Sequence, residues 1–290
     1  KDVDQLIEQL QNDPVRVAVI NIMSILTLAV FVAGIAADIR FFRKQYRQRQ
    51  LYGSIRTPGF PNAVPAADAL TVLALIFAYY TMAHLTMLAA TLLLDKMPMG
   101  MGLGINAVLE LAVALTVFGF LGGGMIRLNS KLLRQTPRLI EIYVGLVPLL
   151  FLAFLATTAV SNLLGMEPQP MPVIRMMIEE KLPAIAIILL ALEAVVMAPI
   201  AEELLFRGVI FGTLRTYGSF GFSAVVTAII FSALHGHIFS FLPIAILGIA
   251  FAHYYEKTRN IAYPILLHAL YNAISVLMVL AYRFVLSGVK

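Results

Sequence analysis

Residues 198–208 read Ala-Pro-Ile-Ala-Glu-Glu-Leu-Leu-Phe-Arg-Gly, so two adjacent carboxylates, Glu202 and Glu203, stand deep in a hydrophobic run. Neighbours on a helix point about 100° apart, so the two cannot face one site equally. Glu203 and Arg207 are four apart and share a face, where they can pair. That leaves Glu202 free for other work. Pro199 removes one backbone hydrogen bond and can bend the helix just before the pair. A second run, Phe231-Ser-Ala-Leu-His235-Gly-His237, carries two imidazoles, and a third, His268-Ala-Leu-Tyr-Asn272, puts a His and an Asn four apart on one side.

These residue types suit hydrolysis. A carboxylate in an apolar cavity is disfavoured as an anion by desolvation and favoured by a neighbouring cation, a balance that suits a general base. On this reading Glu202 takes a proton from a water that a nearby His orients. His268 and Asn272 are donors able to steady an oxyanion. No Ser or Thr stands in a strained elbow as a nucleophile, and Ser223 and Ser232 read as ordinary helix residues. Gly236 is expected to cap a helix end. His237 then lies on the outer side or at the site mouth, and His253, beside Tyr254 and Tyr255, reads as interfacial.

The elements that carry these residues are set by composition. Of 290 residues 60% are hydrophobic and 13% charged, against about 25% charged in a soluble domain; the mean hydropathy is +0.89. Such a chain has too little polar surface for a water-soluble fold of its size and too much apolar surface for disorder. Cysteine is absent, which removes disulfides, thiolate nucleophiles and Cys-ligated metals. The net charge of +5 sits in short loops with no base-stacking ribbon or basic helix face, so nucleic acid is set aside as a partner. The expected fold is an all-α polytopic membrane helix bundle. About eight segments of spanning character are read, roughly 17–37, 69–94, 103–126, 139–165, 184–206, 221–236, 239–255 and 261–285. The catalytic cavity is placed between the last four. The sixth and seventh are short and closely joined, the pattern of tilted or partly re-entrant segments. Residues 51–67 read as an irregular loop. Residues 171–182 are open between an ordinary loop and a short interfacial helix, with Val173, Met176 and Met177 opposite Arg175, Glu179 and Glu180.

Strict alternation of the segments puts Arg40, Arg43, Lys44, Arg47, Arg49, Arg56, Arg127, Lys131, Arg134, Arg138, Arg207, Arg215, Lys257 and Arg259 on one side. Positive charge marks the cytoplasmic face, so both termini are expected outside, in a prokaryotic inner membrane or its equivalent. Lys96, the 166–182 loop and the acidic N-terminus fall on the other face. The first stretch, Lys1 to Arg16, does not read as a signal peptide. Since Lys1 stands where an initiator Met would, more chain is expected upstream.

Ionisable groups at bilayer depth are costly and mark function by default. His84 and Glu110 are isolated in the first half and read as hydrogen-bonding glue between helices. The polar residues of the second half fall instead on three separate segments. His235 comes late in an outward-running segment and is expected to sit deeper than Glu202 and His268.

The Glu-Glu-x-x-x-Arg at 202–207, the Phe-x-x-x-His at 231–235 and the His-x-x-x-Asn at 268–272, with Ala-Pro-Ile before the pair and Phe-Arg-Gly after it, resemble the three motifs of the CAAX protease and bacteriocin-processing (Abi) family, which includes the type II CAAX prenyl endopeptidases. The resemblance covers about residues 184–282. It divides the chain into 1–183, an N-terminal membrane region of about four helices without a signature, and 184–290, a protease core. It implies an intramembrane glutamate endopeptidase without a cofactor. Glu202 and His235 would activate the water, His268 and Asn272 would stabilise the tetrahedral intermediate, and Glu203 with Arg207 would hold the site together. The substrate would be a peptide or protein, membrane-associated or lipidated. Two other readings use the same residues: a zinc protease with His235, His268 and Glu202 as ligands, and a non-catalytic scaffold or regulator that holds a peptide in the cavity. A proton-coupled transporter is disfavoured, because the acids follow no path and no inverted repeat shows.

Overall fold

A computed structural model of the chain describes residues 13–48, 65–93, 99–121, 136–179 and 182–286. The acidic N-terminal stretch, almost all of the 51–67 loop, and Arg49, Arg56, Lys96, Arg127, Lys131, Arg134 and Glu180 lie outside the described residues, as do the side chains of Lys44 and Arg47.

In lipid every backbone N–H and C=O must be satisfied within the segment, so apolar runs of this length become helices. The described residues form α1 (Pro14–Gln48), α2 (Ala66–Leu93), α3 (Met99–Leu121), α4 (Thr136–Leu163), the short α5 (Pro172–Glu179), α6 (Ala184–Tyr217), α7 (Phe220–Leu234), α8 (Phe241–Thr258) and α9 (Ala262–Leu286). Six of these, α1, α2, α4, α6, α9 and α8 with its leading turn, are long and apolar enough to cross a membrane; Gly104–Phe120 and Phe220–Leu234 are shorter apolar helices. The expected bundle is therefore present, with large side chains such as Leu28, Phe77, Leu115 and Ile188 on its outer surface, as a lipid-facing surface requires. The chain is an integral membrane protein.

The uncertain stretch at 171–182 contains a helix. α5 lies against the far end of α9, burying Met177 beside Leu182, Ala186 and Leu190 and packing near Val276, Val279 and Leu280. Arg283 donates to the Met177 carbonyl. Val173 faces outward rather than joining the two methionines.

One core crosses the boundary at residue 183. Ala69, Val72 and Ile76 of α2 and Val113 and Val117 of α3 share a buried cluster with Ala201, Leu204, Leu205 and Val209 of α6 and with Phe231, Ala252 and Tyr255. A second cluster joins Leu139 and Leu146 of α4 to Leu247, Phe251, Tyr263 and Leu267. The glutamate-bearing helix is thus held by the N-terminal helices on one side and α7, α8 and α9 on the other.

The cationic ends named in the sequence meet at one end of the bundle. Arg215, at the end of α6, pairs with Glu256 near the end of α8 at 3.3 Å, and Arg259 reaches the same carboxylate at 2.8 Å. His253 lies between Phe41 at the end of α1 and Phe220 at the start of α7, with ring centroids 5.9 and 5.8 Å away, an aromatic setting that suits its interfacial reading.

Candidate active site

α6 is not a regular α-helix. Two π-helical stretches, Glu193–Met197 and Leu204–Phe211, flank the α-helical turn Ala198–Glu203 that starts with Pro199 and ends on the glutamates. Such wide turns shift the register of side chains and backbone carbonyls, and they concentrate at functional sites.

Arg207 is paired with Glu203 at 3.0 Å, and both side chains are fully buried. The guanidinium also donates to the Gly248 carbonyl at 3.1 Å. Phe231 and Phe251 cover it, their ring centroids 4.7 and 5.1 Å away, a cation–π enclosure that is strongest when water is excluded. The i,i+4 pairing expected from the sequence is present, in the driest part of the core. Gly248 allows the close approach: a Cβ there would stand 3.0 Å from the Ala228 Cβ, so a side chain would push α7 and α8 apart by a few tenths of an ångström.

His268 joins the two carboxylates. Its Nδ1 donates to Glu203 Oε1 at 3.0 Å, while its Nε2 lies 3.8 Å from Glu202 Oε2. Spacing puts the adjacent glutamates on separate faces of their helix, and a pairing of Glu203 with His268 is not among the sequence expectations. One imidazole with a nitrogen on each edge spans the angle between them. Glu202 remains 29% exposed whereas Glu203 is closed off, so Glu202 is the carboxylate open to a cleft. Its Oε2 has no hydrogen-bond partner among the described residues. Phe251 stacks on the His268 ring at 4.9 Å and 25° and holds its plane.

Asn272 donates to the Ala194 carbonyl at 2.7 Å. Ala194 lies in the first π-helical stretch, so the distorted backbone orients this amide. The second N–H of the same amide is left for another acceptor.

His235 is half-buried at the end of α7. Its Nδ1 meets the Phe231 carbonyl at 2.8 Å. A carbonyl only accepts, so Nδ1 carries the hydrogen and the neutral ring keeps Nε2 as its acceptor. Phe231 links the imidazoles, with centroids 4.8 Å from His235 and 6.0 Å from His268. α7 begins at Phe220, capped by the Ser219 hydroxyl, and spans 15 residues, about 22 Å. It is shorter than a hydrocarbon core of about 30 Å, and Phe231, one turn before its end, covers the Arg207 guanidinium. Gly236 then takes φ +62° and turns the chain out of the helix, the left-handed C-terminal cap expected there. His237 is held by Ser240 at 2.8 Å within its own turn.

The structure therefore gathers Glu202, Glu203, Arg207 and His268 directly, adds Asn272 through α6, and brings His235 in through Phe231. Among the described residues no group of three or more His, Asp or Glu side chains lies close enough to hold a metal ion. The residues that sequence reasoning missed are Gly248, Phe251 and the Ala194 carbonyl. Apolar side chains and backbone carry no contrast in an apolar sequence.

Comparison with known proteins agrees with this segment. Residues 184–274 match the family model described as type II CAAX prenyl endopeptidase Rce1-like. The chain is 33% identical over 93 residues to the "Putative membrane peptidase YdiL" of Bacillus subtilis (strain 168), across 32% of this chain and 38% of that protein. The chain thus spans well under half the length of the curated relative it matches. No solved structure matches. Both matches concern a segment of about this length, and the family model falls on the stretch that carries the three motifs.

Proposed function

We propose that the protein is an intramembrane endopeptidase of glutamate type. The observation that carries this reading is Glu202: its side chain is 29% exposed beside the closed-off Glu203, and its Oε2 lies 3.8 Å from His268 Nε2 without a hydrogen-bond partner among the described residues. Glu202 takes a proton from water, and the water oxygen attacks the scissile carbonyl carbon. His235, with Nδ1 committed to the Phe231 carbonyl, presents Nε2 as an acceptor that orients the same water. The oxyanion is met by the free N–H of Asn272 and by His268 Nε2 when the imidazole carries its second proton. Glu202 then returns its proton to the leaving amine nitrogen, the C–N bond breaks, and a carboxylic acid and an amine remain. Glu203 and Arg207 contact no substrate; they fix His268, and through it the geometry around Glu202.

The substrate is a peptide or protein reached within or at the edge of the membrane, lipidated chains included. The cationic end of the bundle faces the cytoplasm of a prokaryotic inner membrane, with both termini outside. The test is a comparison of protein termini in cells holding wild-type or Glu202→Ala protein. New termini near membrane segments that appear only with the wild type support protease action. Identical terminal profiles, with both proteins present in the membrane at equal levels, reject it in favour of a scaffold that holds a peptide without cutting.

A further inference from the structure

The N-terminal half contributes to this site. We propose that Glu110 is a substrate-contacting residue of the same cleft, accepting a hydrogen bond from an N–H group of the peptide lying across Glu202; this rests on the protease reading above. α3 packs against the glutamate-bearing helix, with Val113 and Val117 buried in the same core as Ala201, Leu204 and Leu205. Glu110 precedes Val113, Ala114 and Val117 by three, four and seven residues, so it lies on the stripe that faces α6. It is within electrostatic range of Glu193 and Glu202, and Tyr80 of α2 is within range of both Glu110 and Glu202.

Glu110 does not act as the interhelical glue expected of it. Its Oε2 is buried and meets no hydrogen-bond partner among the described residues, the same condition as Glu202 Oε2. His84 is no glue either, since it bonds the Tyr80 carbonyl of its own helix at 2.8 Å and is exposed. A buried acceptor without a donor is costly and calls for an explanation. Neither of the two Oε2 atoms has a donor beside it among the described residues. Of the two buried cations of α6, Arg207 is committed to Glu203 and Gly248 and Arg215 to Glu256. A peptide backbone and many side chains supply the missing N–H donors.

The probe is an internally quenched peptide library, randomised around its centre and presented in detergent micelles. The best-cut peptide is then used for kinetics. Glu110→Leu is expected to raise KM about tenfold, the loss of one hydrogen bond, and to leave kcat within about threefold, because a lost ground-state contact acts on binding. Glu110→Gln keeps an acceptor and is expected to return most of the KM. A fall in kcat at constant KM, or a Glu110→Leu protein with wild-type kinetics, overturns the proposal while leaving the protease reading standing. A wild type that cuts no peptide in the library, nor any cellular protein, removes the protease reading and this proposal with it. A Glu110→Gln protein as impaired as Glu110→Leu also overturns it, because an accepting group would then not be what matters.

Discussion

Removing Arg207 should expose how the site is held. In Arg207→Met the long apolar side chain fills much of the vacated space, but Glu203 stays fully buried without its cation. Breaking a buried ion pair by deleting one partner costs about 3–5 kcal/mol, mainly because the remaining charge is stranded. His268 still donates to Glu203 at 3.0 Å, which offsets part of that cost and sets the expectation at about 3 kcal/mol. The double change Glu203→Met with Arg207→Met strands no carboxylate and leaves only the His268 Nδ1–H without its acceptor, a cost of about 1–3 kcal/mol. The double variant should therefore be more stable than the single one. Arg207→Lys keeps the charge but loses the planar fork that reaches both Glu203 and Gly248, and it should fall between wild type and Arg207→Met. The chain has no tryptophan, so unfolding is followed by far-ultraviolet circular dichroism during SDS titration of mixed micelles. An Arg207→Met protein within about 1 kcal/mol of wild type, or a double variant less stable than the single one, would refute this reasoning.

Three further outcomes are expected. Gly248→Val should destabilise by about 1–3 kcal/mol, because an added side chain meets Ala228 and overpacking forces the backbone to shift; the same titration measures it, along with lost activity as the Arg207 acceptor moves. Asn272→Leu should slow peptide cleavage by about 100-fold to 1000-fold while costing only about 1 kcal/mol of stability from the unpaired Ala194 carbonyl; unchanged turnover would show that this amide meets no oxyanion. Cleavage should continue at an undiminished rate after exhaustive chelation, and loss of activity restored by added zinc would favour the metal reading of Glu202, His235 and His268.

The fold was largely legible because a bilayer leaves few choices. All eight expected segments correspond to helices, from Pro14–Gln48 to Ala262–Leu286, since an apolar run of sufficient length has to satisfy its backbone internally. At the site, the pairing of Glu203 with Arg207 followed from spacing within one helix. What joins different helices was not legible. That His268 spans both glutamates depends on how α9 lies on α6, and local spacing holds no record of it. His235 reaches the cluster because α7 is only 15 residues long, a boundary effect set by the Ser219 cap and Gly236. Phe251 and Gly248 are apolar residues in an apolar helix, indistinguishable in sequence from lipid-facing neighbours. Glu110 could be flagged as a charge in the wrong place. Its orientation toward α6 needed the packing of Val113 and Val117.

The central claim is that Glu202 acts as the base in peptide hydrolysis. Purified wild-type and Glu202→Gln proteins, reconstituted in vesicles and shown equally folded by circular dichroism, are compared for cleavage of one peptide substrate. Glutamine keeps the size and hydrogen-bonding shape but cannot take the proton, so the rate should fall by about 100-fold to 10000-fold. Cleavage by Glu202→Gln within a few-fold of wild type would contradict the account.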